Sequence, residues 1–281
     1  MTRTFYNLAM IGLLLVVAAC SPPVSEATFE IVSPAGYGAM QDGDFLIPAV
    51  APHLFYEGAQ RAEVVFNGDD APGTIVVDTF ARRLYYVQQG GMATRYAIAV
   101  GREGISFRGS GVIGRKAEWP SWTPTANMVR TRPDLYADYA AGLPGGLDNP
   151  LGARALYIYR GGRDTAFRIH GTVDNASIGH ATSAGCIRLY NQDAIDLYNR
   201  VDNGTRVRVR TLEESIALEG HFMDDAYGRA VPVSPENEAM KLVDEVRIAE
   251  REAMDPVLAA YAAAARAAVE AAERQAAAAG G

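Results

Sequence analysis

Cysteine is almost absent from this chain of 281 residues, which contains only Cys20 and Cys186. Cys20 directly follows an apolar N-terminal run typical of an export signal, so an exported body keeps Cys186 as its one thiol. That thiol then has no internal disulfide partner. Because a lone thiol is at risk of oxidation in an oxidising compartment, its presence indicates a reactive group.

Long apolar runs are also missing, with one exception at the N-terminus. The run from Leu8 to Ala19 is too short to span a bilayer but normal for a signal-peptide core, and Arg3 is the only charge before it. The small residues just before Cys20 resemble a bacterial lipobox, in which the cysteine becomes a lipidated N-terminus. We therefore predict a lipoprotein-type signal peptide over residues 1–20 with lipidation at Cys20. The alternative is an ordinary cleaved signal with Cys20 near the cut.

An excess of positive charge is lacking as well. The 26 basic residues are outnumbered by 33 acidic ones, for a net charge of −7, and removal of residues 1–19 takes away Arg3 and no acid, giving −8. An acidic chain has no electrostatic reason to bind nucleic acid or an anionic membrane surface. The composition, 49% hydrophobic and 21% charged, is that of an ordinary globular protein with one substantial domain and flanking segments.

The distribution of turn-forming and apolar residues divides the rest of the chain. Residues 21–70 have little periodicity and are predicted to form a tether and approach segment. Residues 71–212 carry β-strand patterns, and residues 213–281 are predicted to form a transition and an alanine-rich helical tail. Within this tail, Ser234-Pro235 and Asp255-Pro256 each place an N-cap residue before a proline suited to the first helical position.

Two hairpins are predicted inside the β-rich region. Thr74–Val77 and Leu84–Val87 form the first, and Leu156–Tyr159 and Ala166–His170 flank a glycine-containing turn in the second. Alternation in the last strand places Ile169 towards the core and His170 on the opposite face, at the strand end. Asn191 is predicted to cap a short helix, and a final strand is expected near Thr205–Arg210.

The residues around Cys186 favour nucleophilic chemistry. Cys186 lies in the segment Ser183-Ala184-Gly185-Cys186-Ile187-Arg188, and His170, sixteen residues upstream, can supply the base that a thiol nucleophile needs. The alternative is a buried cysteine acting as a small apolar residue, which its glycine, serine and arginine neighbours disfavour. A metal site from His170, His180 and Cys186 matches no standard zinc spacing, so no metal or other cofactor is predicted.

Several segments, taken together and in order, resemble the catalytic domain of the L,D-transpeptidases, the YkuD-like family of the ErfK, YbiS, YcfS and YnhG type. The resemblance covers about residues 71–212 and implies a mainly β fold, a β-sandwich with short helices. The segments are Pro72-Gly73-Thr74-Ile75-Val76-Val77-Asp78, Val100-Gly101-Arg102-Glu103-Gly104, Glu118-Trp119-Pro120-Ser121-Trp122-Thr123-Pro124, Asn149-Pro150-Leu151-Gly152-Ala153-Arg154-Ala155-Leu156, His170-Gly171-Thr172 and Ser183-Ala184-Gly185-Cys186-Ile187-Arg188.

The resemblance also implies roles for individual residues. Cys186 matches the nucleophile and His170 the general base, and the backbone carbonyl of Gly171 would orient the imidazole. A thiolate–imidazolium pair between Cys186 and His170 would lower the thiol pKa. The remaining predicted site residues are the backbone amides of Ala184, Gly185 and Cys186 as an oxyanion hole, and Arg188 and Ser183 as substrate-binding residues.

The sequence departs from the family pattern at Ala184, where many members have histidine. His180 could compensate for that histidine, although an exposed loop histidine is the simpler interpretation. The implied substrate is a peptidoglycan stem peptide. The acyl acceptor stays open between another stem peptide, an envelope protein and water, and a non-catalytic envelope scaffold is the alternative from another class. The expected location is the periplasm of a Gram-negative-type envelope, with a lipid anchor at Cys20.

Overall fold

The computed structural model describes residues 33–101, 107–183 and 185–279, which belong to one structural unit. The predicted signal peptide with Cys20, the loop 102–106 and Ala184 lie outside the described residues. The strands are β1 (Met40–Asp42), β2 (Phe45–Ile47), β3 (Ala62–Val65), β4 (Ile75–Asp78), β5 (Arg83–Val87), β6 (Met92–Ala97), β7 (Val100–Gly101), β8 (Ser110–Glu118), β9 (Arg154–Arg160), β10 (Arg163–His170), β11 (Ala181–Ser183), β12 (Ile187–Arg188), β13 (Arg206–Val209), β14 (Phe222–Asp224) and β15 (Ala230–Pro232).

The helices are short before the C-terminal region and long within it. The α-helices are α1 (Ala126–Thr131), α2 (Pro133–Tyr136), α3 (Asn191–Arg200), α4 (Leu212–Glu219), α5 (Pro235–Met254) and α6 (Pro256–Ala279). Single 3₁₀ turns occur at Pro52–Leu54, Gln89–Gly91, Ala137–Tyr139 and Asn175–Ser177. No helix in the described part of the chain has an apolar stretch long enough to cross a bilayer.

One mixed sheet of nine strands organises the described residues, in the order β12-β10-β9-β8-β13-β4-β5-β6-β3. The pairs β10–β12 and β13–β4 are parallel, and the others are antiparallel. On the outer edge of β12, Arg188 exchanges two backbone hydrogen bonds of 2.9 Å with Ala99, a residue that follows β6. The sheet therefore curls until strands from its two halves meet.

The curled sheet encloses the main hydrophobic core. Every strand of the sheet except β3 contributes a side chain to it, and α3 covers it through Ala194 and Leu197. Ile75, Ile113 and Ile158 are fully buried there. Burial of this continuous apolar surface is the main stabilising term of the domain. The predicted mainly β fold with short helices and a helical C-terminal tail is confirmed.

Both predicted hairpins are present. β4 pairs with β5 from Ile75 to Asp78, and β9 pairs with β10 across the turn Gly161-Gly162. These two glycines have φ values of 55° and 76°, as a two-residue type I′ turn requires. Ala166 has φ 64° at a register shift between Asp164 and Arg168, so β10 contains a bulge before it reaches His170.

The segments outside the main hairpins have more structure than their local patterns indicate. β3, within the expected approach segment, forms one edge of the main sheet, and the expected transition contains α4 and the β14–β15 hairpin. The domain boundaries at 71 and 212 therefore stay a prediction. The N-caps are as expected: the Ser234 side chain accepts from the Asn237 amide at 3.1 Å, and Asp255 accepts from the Val257 amide at 2.9 Å.

Candidate active site

The pairing of β10 with β12 brings the two sequence-predicted site segments together. Ile169 lies opposite Ile187, and His170 lies opposite Arg188, in parallel register. Ile169 and Ile187 both belong to the core. Because side chains alternate along a strand, Arg188 shares the sheet face that carries His170, and Cys186 directly precedes the paired residues.

His170 is held by the backbone that follows it. Its Nδ1 lies 2.6 Å from the Gly171 carbonyl oxygen. A carbonyl only accepts hydrogen bonds, so Nδ1 carries a proton, and in the neutral ring Nε2 is left as the acceptor. His170 is on the strand face opposite the core residue Ile169, as the alternation predicted. It is nevertheless only 5% exposed, because loops cover it.

Asn191 ties those covering loops to α3. Its Oδ1 accepts a hydrogen bond from the Ala153 amide and its Nδ2 donates to the Thr172 carbonyl, both at 2.9 Å. The predicted capping role of Asn191 is wrong, because Tyr190 is the N-cap of α3 and Asn191 already lies in the helix. The buried amide instead links the segment before β9 to the segment after His170.

Two glycines make this arrangement possible. A methyl group added at Gly171 would approach Asn191 Oδ1 to 2.1 Å, and one added at Gly152 would approach it to 2.2 Å. Gly152 also has φ 64°. The glycines of the His170-Gly171 and Leu151-Gly152 motifs are therefore required by the close packing of two loops against one amide.

A second buried amide, that of Asn149, fixes the neighbouring loop. Its Nδ2 donates to the carbonyls of Pro120 and Pro144, each at 2.9 Å, and its Oδ1 accepts from the Leu151 amide at 2.9 Å. The carbonyl of Leu151 in turn favours a protonated ring at His170. The Asn149-Pro150-Leu151-Gly152 motif thus positions the backbone next to the candidate base.

Electrostatics favours a neutral imidazole. Burial, followed by the positive charge of Arg188, lowers the pKa of His170 to about 4, and the carbonyls of Gly171 and Leu151 oppose this only in part. Burial also raises the pKa of the partly exposed Cys186 thiol above its ordinary value. The Arg168 amide and the charges of Arg168 and Arg188 act in the opposite direction but do not outweigh burial. These directions favour a neutral thiol and a neutral imidazole at rest over the expected thiolate–imidazolium pair.

The raised thiol pKa gives a testable pH dependence. In a Cys20→Ala protein, where Cys186 is the single thiol, we expect the iodoacetamide alkylation rate to rise with pH, with a midpoint above the ~8.5 of free cysteine. The midpoint shifts upward because a raised pKa keeps Cys186 in its unreactive thiol form up to a higher pH. The same protein unfolded in urea is the control, with a lower midpoint. A fast rate that is flat between pH 6 and 8 in the folded protein would instead indicate a resting thiolate.

Arg168 is a site residue that sequence patterns did not single out. Its guanidinium forms two hydrogen bonds with Asp164, of 2.6 and 2.8 Å, and lies 4.2 Å from the centre of the Tyr157 ring. The β10 bulge places Asp164 and Arg168 close to the thiol, whose pKa both influence. The only sequence signal was its position two residues before His170.

The other predicted residues are placed as follows. Gly185 is buried with φ 120°, a conformation that side-chain-bearing residues rarely adopt. Ser183 ends β11, whose strand pairs with β7 at Gly101, and Arg188 is partly exposed in β12. Ala184 lies outside the described residues. His180 contacts the carbonyls of Ile178 and Tyr227 at 3.2 and 2.9 Å, so backbone groups hold its ring.

Comparison with known proteins gives one consistent family. The L,D-transpeptidase catalytic domain, YkuD, matches residues 72–209. One relative is a putative L,D-transpeptidase of Fuscovulum blasticum, encoded as ORF 5 in the ATP synthase subunits region. It is 39% identical over 137 residues, which cover 48% of this chain and 68% of that protein. The probable L,D-transpeptidase ErfK/SrfK of Escherichia coli K12 is 38% identical over 48% of this chain and 43% of its own length.

A solved structure also matches, a probable carnitine operon oxidoreductase from Brucella melitensis. It is 46% identical and covers 54% of this chain and 93% of that one, with a TM-score of 0.38. At this TM-score the overlap carries no argument about function. The matched segment 72–209 contains every motif quoted above, including the strand pair that joins His170 to the Cys186 segment. On these matches, the chain belongs to the L,D-transpeptidase catalytic domain family.

Proposed function

We propose that this protein is an L,D-transpeptidase that acts on peptidoglycan stem peptides through a thioester on Cys186. Membership of the family supports the reaction class. The observation that carries the assignment to residues is the parallel register of β10 and β12, with His170 opposite Arg188 and Cys186 immediately before the paired segment. Cys186 is also the only cysteine within the described residues.

Acylation starts from the neutral pair. As Cys186 Sγ attacks the carbonyl of the third stem-peptide residue, its proton passes to His170 Nε2, which the Nδ1–Gly171 hydrogen bond leaves as the acceptor. Breakdown of the tetrahedral intermediate releases the terminal D-amino acid, whose amine takes the proton from His170. The product is a thioester on Cys186 and a neutral imidazole.

The second half-reaction reverses these proton transfers. An acceptor amine attacks the thioester, loses a proton to His170, and the Cys186 thiol leaves with that proton. Water in place of the amine gives hydrolysis, and a lysine or N-terminus of an envelope protein gives a protein conjugate. All three acceptors use the same acyl-enzyme.

Backbone amides and one guanidinium complete the proposed site. The amides of Ala184, Gly185 and Cys186 would stabilise the oxyanion, and the positive φ of Gly185 is consistent with a backbone shaped for close approach. Arg188, with Ser183, would hold a substrate carboxylate. Binding an anion beside Arg188 would offset the charge that lowers the pKa of His170, so substrate binding would make the base stronger.

The acceptor is identified by the products of the purified enzyme. A tetrapeptide-bearing muropeptide, incubated alone and then with a second muropeptide, is expected to lose its terminal D-amino acid and yield a cross-linked dimer whose mass lacks that residue. A tripeptide product only, even with excess acceptor, would identify hydrolysis. If neither condition gives a product, the assignment as an enzyme is contradicted and the scaffold alternative is favoured.

We also propose that the protein is anchored at the periplasmic side of a Gram-negative-type envelope by a lipid on Cys20. The support is the short apolar run that ends in small residues before this cysteine. Two or three acyl chains hold a protein at a membrane far more firmly than one chain does. Metabolic palmitate labelling is expected to mark the wild-type protein and not Cys20→Ala. An unlabelled protein in the soluble periplasmic fraction would refute the anchor and leave the enzyme assignment intact.

A further inference from the structure

A polar cleft of about 440 Å³ lies on the outer face of β5 and β6, on the opposite side of these strands from the main core. The C-terminal helix α5, the β14–β15 hairpin and the Tyr56–Gly58 loop form its other walls. Neither Cys186 nor His170 lines it. Its volume is in the range of small-molecule sites.

Two arginines on the floor of this cleft are brought together by the sheet. Tyr85 lies opposite Arg95 in the β5–β6 pair, and Arg83 is two residues from Tyr85, so all three share one face. A methyl group added at Gly58 would meet Arg83 Nη2 at 2.7 Å and Arg95 Nη2 at 3.6 Å. The two guanidinium groups therefore converge on the same point of the cleft.

These guanidinium groups are poorly satisfied by the protein. Arg83 is only 6% exposed, yet within the described residues it forms no ion pair within 4 Å and its buried Nη1 has no hydrogen-bond partner. The buried Nε of Arg95 likewise has no hydrogen-bond partner, and the Tyr56 hydroxyl lies beside the Arg83 guanidinium, which acts to lower the pKa of that hydroxyl against the effect of burial. Each group left without a partner costs free energy, and two like charges side by side add to that cost.

The acidic residues of the cleft are mostly committed elsewhere. Glu219 contacts Arg210 at 2.5 Å, Asp225 contacts Arg229 at 2.7 Å, and Asp244 contacts Arg247 at 3.2 Å. The fourth acidic residue, Glu57, is exposed to solvent, and its charge and that of Glu219 offset only part of the effect of burial and of Arg83 on the pKa of Arg95, which stays lowered. Lys241 of α5, which also lines the cleft, pairs with Glu245 at 4.0 Å. The unbalanced charge at Arg83 and Arg95 therefore favours an anion.

We propose that this cleft binds an oxyanion, the phosphate or carboxylate group of a small polar molecule, between the guanidinium groups of Arg83 and Arg95. A guanidinium presents a planar fork of donors that matches both groups, and Tyr56 adds a hydroxyl. The site is separate from the proposed thioester chemistry, so it can be tested without any measure of catalysis.

The test is the thermal unfolding of the purified protein with sodium phosphate or sodium glutarate, at an ionic strength held constant with sodium chloride. At about ten times Kd we expect Tm to rise by roughly 3 °C in the wild type. The rise is expected to be lost in Arg83→Met and Arg95→Gln and kept in Arg206→Gln, which changes an exposed arginine of β13 outside the cleft. Arg83→Met is expected to unfold at or above the wild-type Tm, since an unpaired buried charge has been removed.

The two anions distinguish the source of the oxyanion. A larger rise with phosphate identifies a phosphate ester, a larger rise with glutarate identifies a carboxylate, and equal rises identify the chemistry that both share. If Arg83→Met fails to fold, the partly exposed Arg95→Gln decides alone. A wild-type Tm that neither anion changes, or a rise that survives in the Arg83 and Arg95 variants, overturns the proposal.

Discussion

Replacement of Cys186 by alanine is expected to reduce acyl transfer by at least about 10³-fold, because the proposed thioester cannot form without the sulfur. The fold should persist. Cys186 is partly exposed and its side chain is small, so we expect a change in the free energy of unfolding within about 1 kcal/mol. The measurement is the rate of muropeptide dimer or tripeptide formation by the purified variant.

The control for this variant is its thermal unfolding curve, which should match that of the wild type. Cys186→Ser, which keeps the shape of the side chain, is expected to be nearly as inactive, since a hydroxyl is a much weaker nucleophile next to a neutral imidazole. An alanine variant that retained a tenth of the wild-type rate would remove Cys186 from the mechanism.

Replacement of His170 by alanine has the second-largest expected effect. Without a general base, the thiol must ionise before it attacks, and its pKa is already raised by burial. We expect the acylation rate at pH 7 to fall by about 10³-fold and to recover partly as the pH rises and thiolate forms. This recovery distinguishes loss of the base from a damaged fold.

His180→Ala is the matched control. The His180 ring contacts two backbone carbonyls and directly precedes β11, and we expect its replacement to change the acylation rate by less than about threefold. An essential His180 together with a dispensable His170 would show that the base has been assigned to the wrong histidine.

The sequence predicted the parts of the site that depend on local pattern. The alternation of apolar and polar residues in β10 predicted that Ile169 and His170 lie on opposite faces of the strand. The adjacent glycines at positions 161 and 162 predicted the turn that joins β9 to β10. Both signals are local, because side-chain direction and turn type are set by a few neighbouring residues. The family motifs added the order of segments around these strands.

The contacts that hold the site were not predictable in the same way. Asn191 looked like a helix cap because its local context is a turn before a helix, but its amide bonds to Ala153 and Thr172, far away in sequence. Local propensity gives way here to a buried amide with two satisfied hydrogen bonds. The addition of β3 to the sheet edge is likewise a long-range pairing without a local signal.

The charge state of the dyad is a further point on which the fold and the sequence interpretation point in different directions. Analogy with cysteine–histidine enzymes indicated an ion pair, but the loops that Asn149 and Asn191 hold in place bury His170, and Arg188 adds a positive charge beside it. Both effects disfavour an imidazolium. Burial depends on the whole fold, so a motif alone cannot supply it.

The most direct measurement of the central claim is the intact mass of the protein after exposure to a carbapenem, followed by peptide mapping. As the resemblance to L,D-transpeptidases implies, we expect the wild-type protein to gain the mass of one drug molecule, with the adduct on the peptide that contains Cys186, and Cys186→Ala to gain none. An adduct that persists on Cys186→Ala, or that maps to another residue, would contradict the proposed nucleophile.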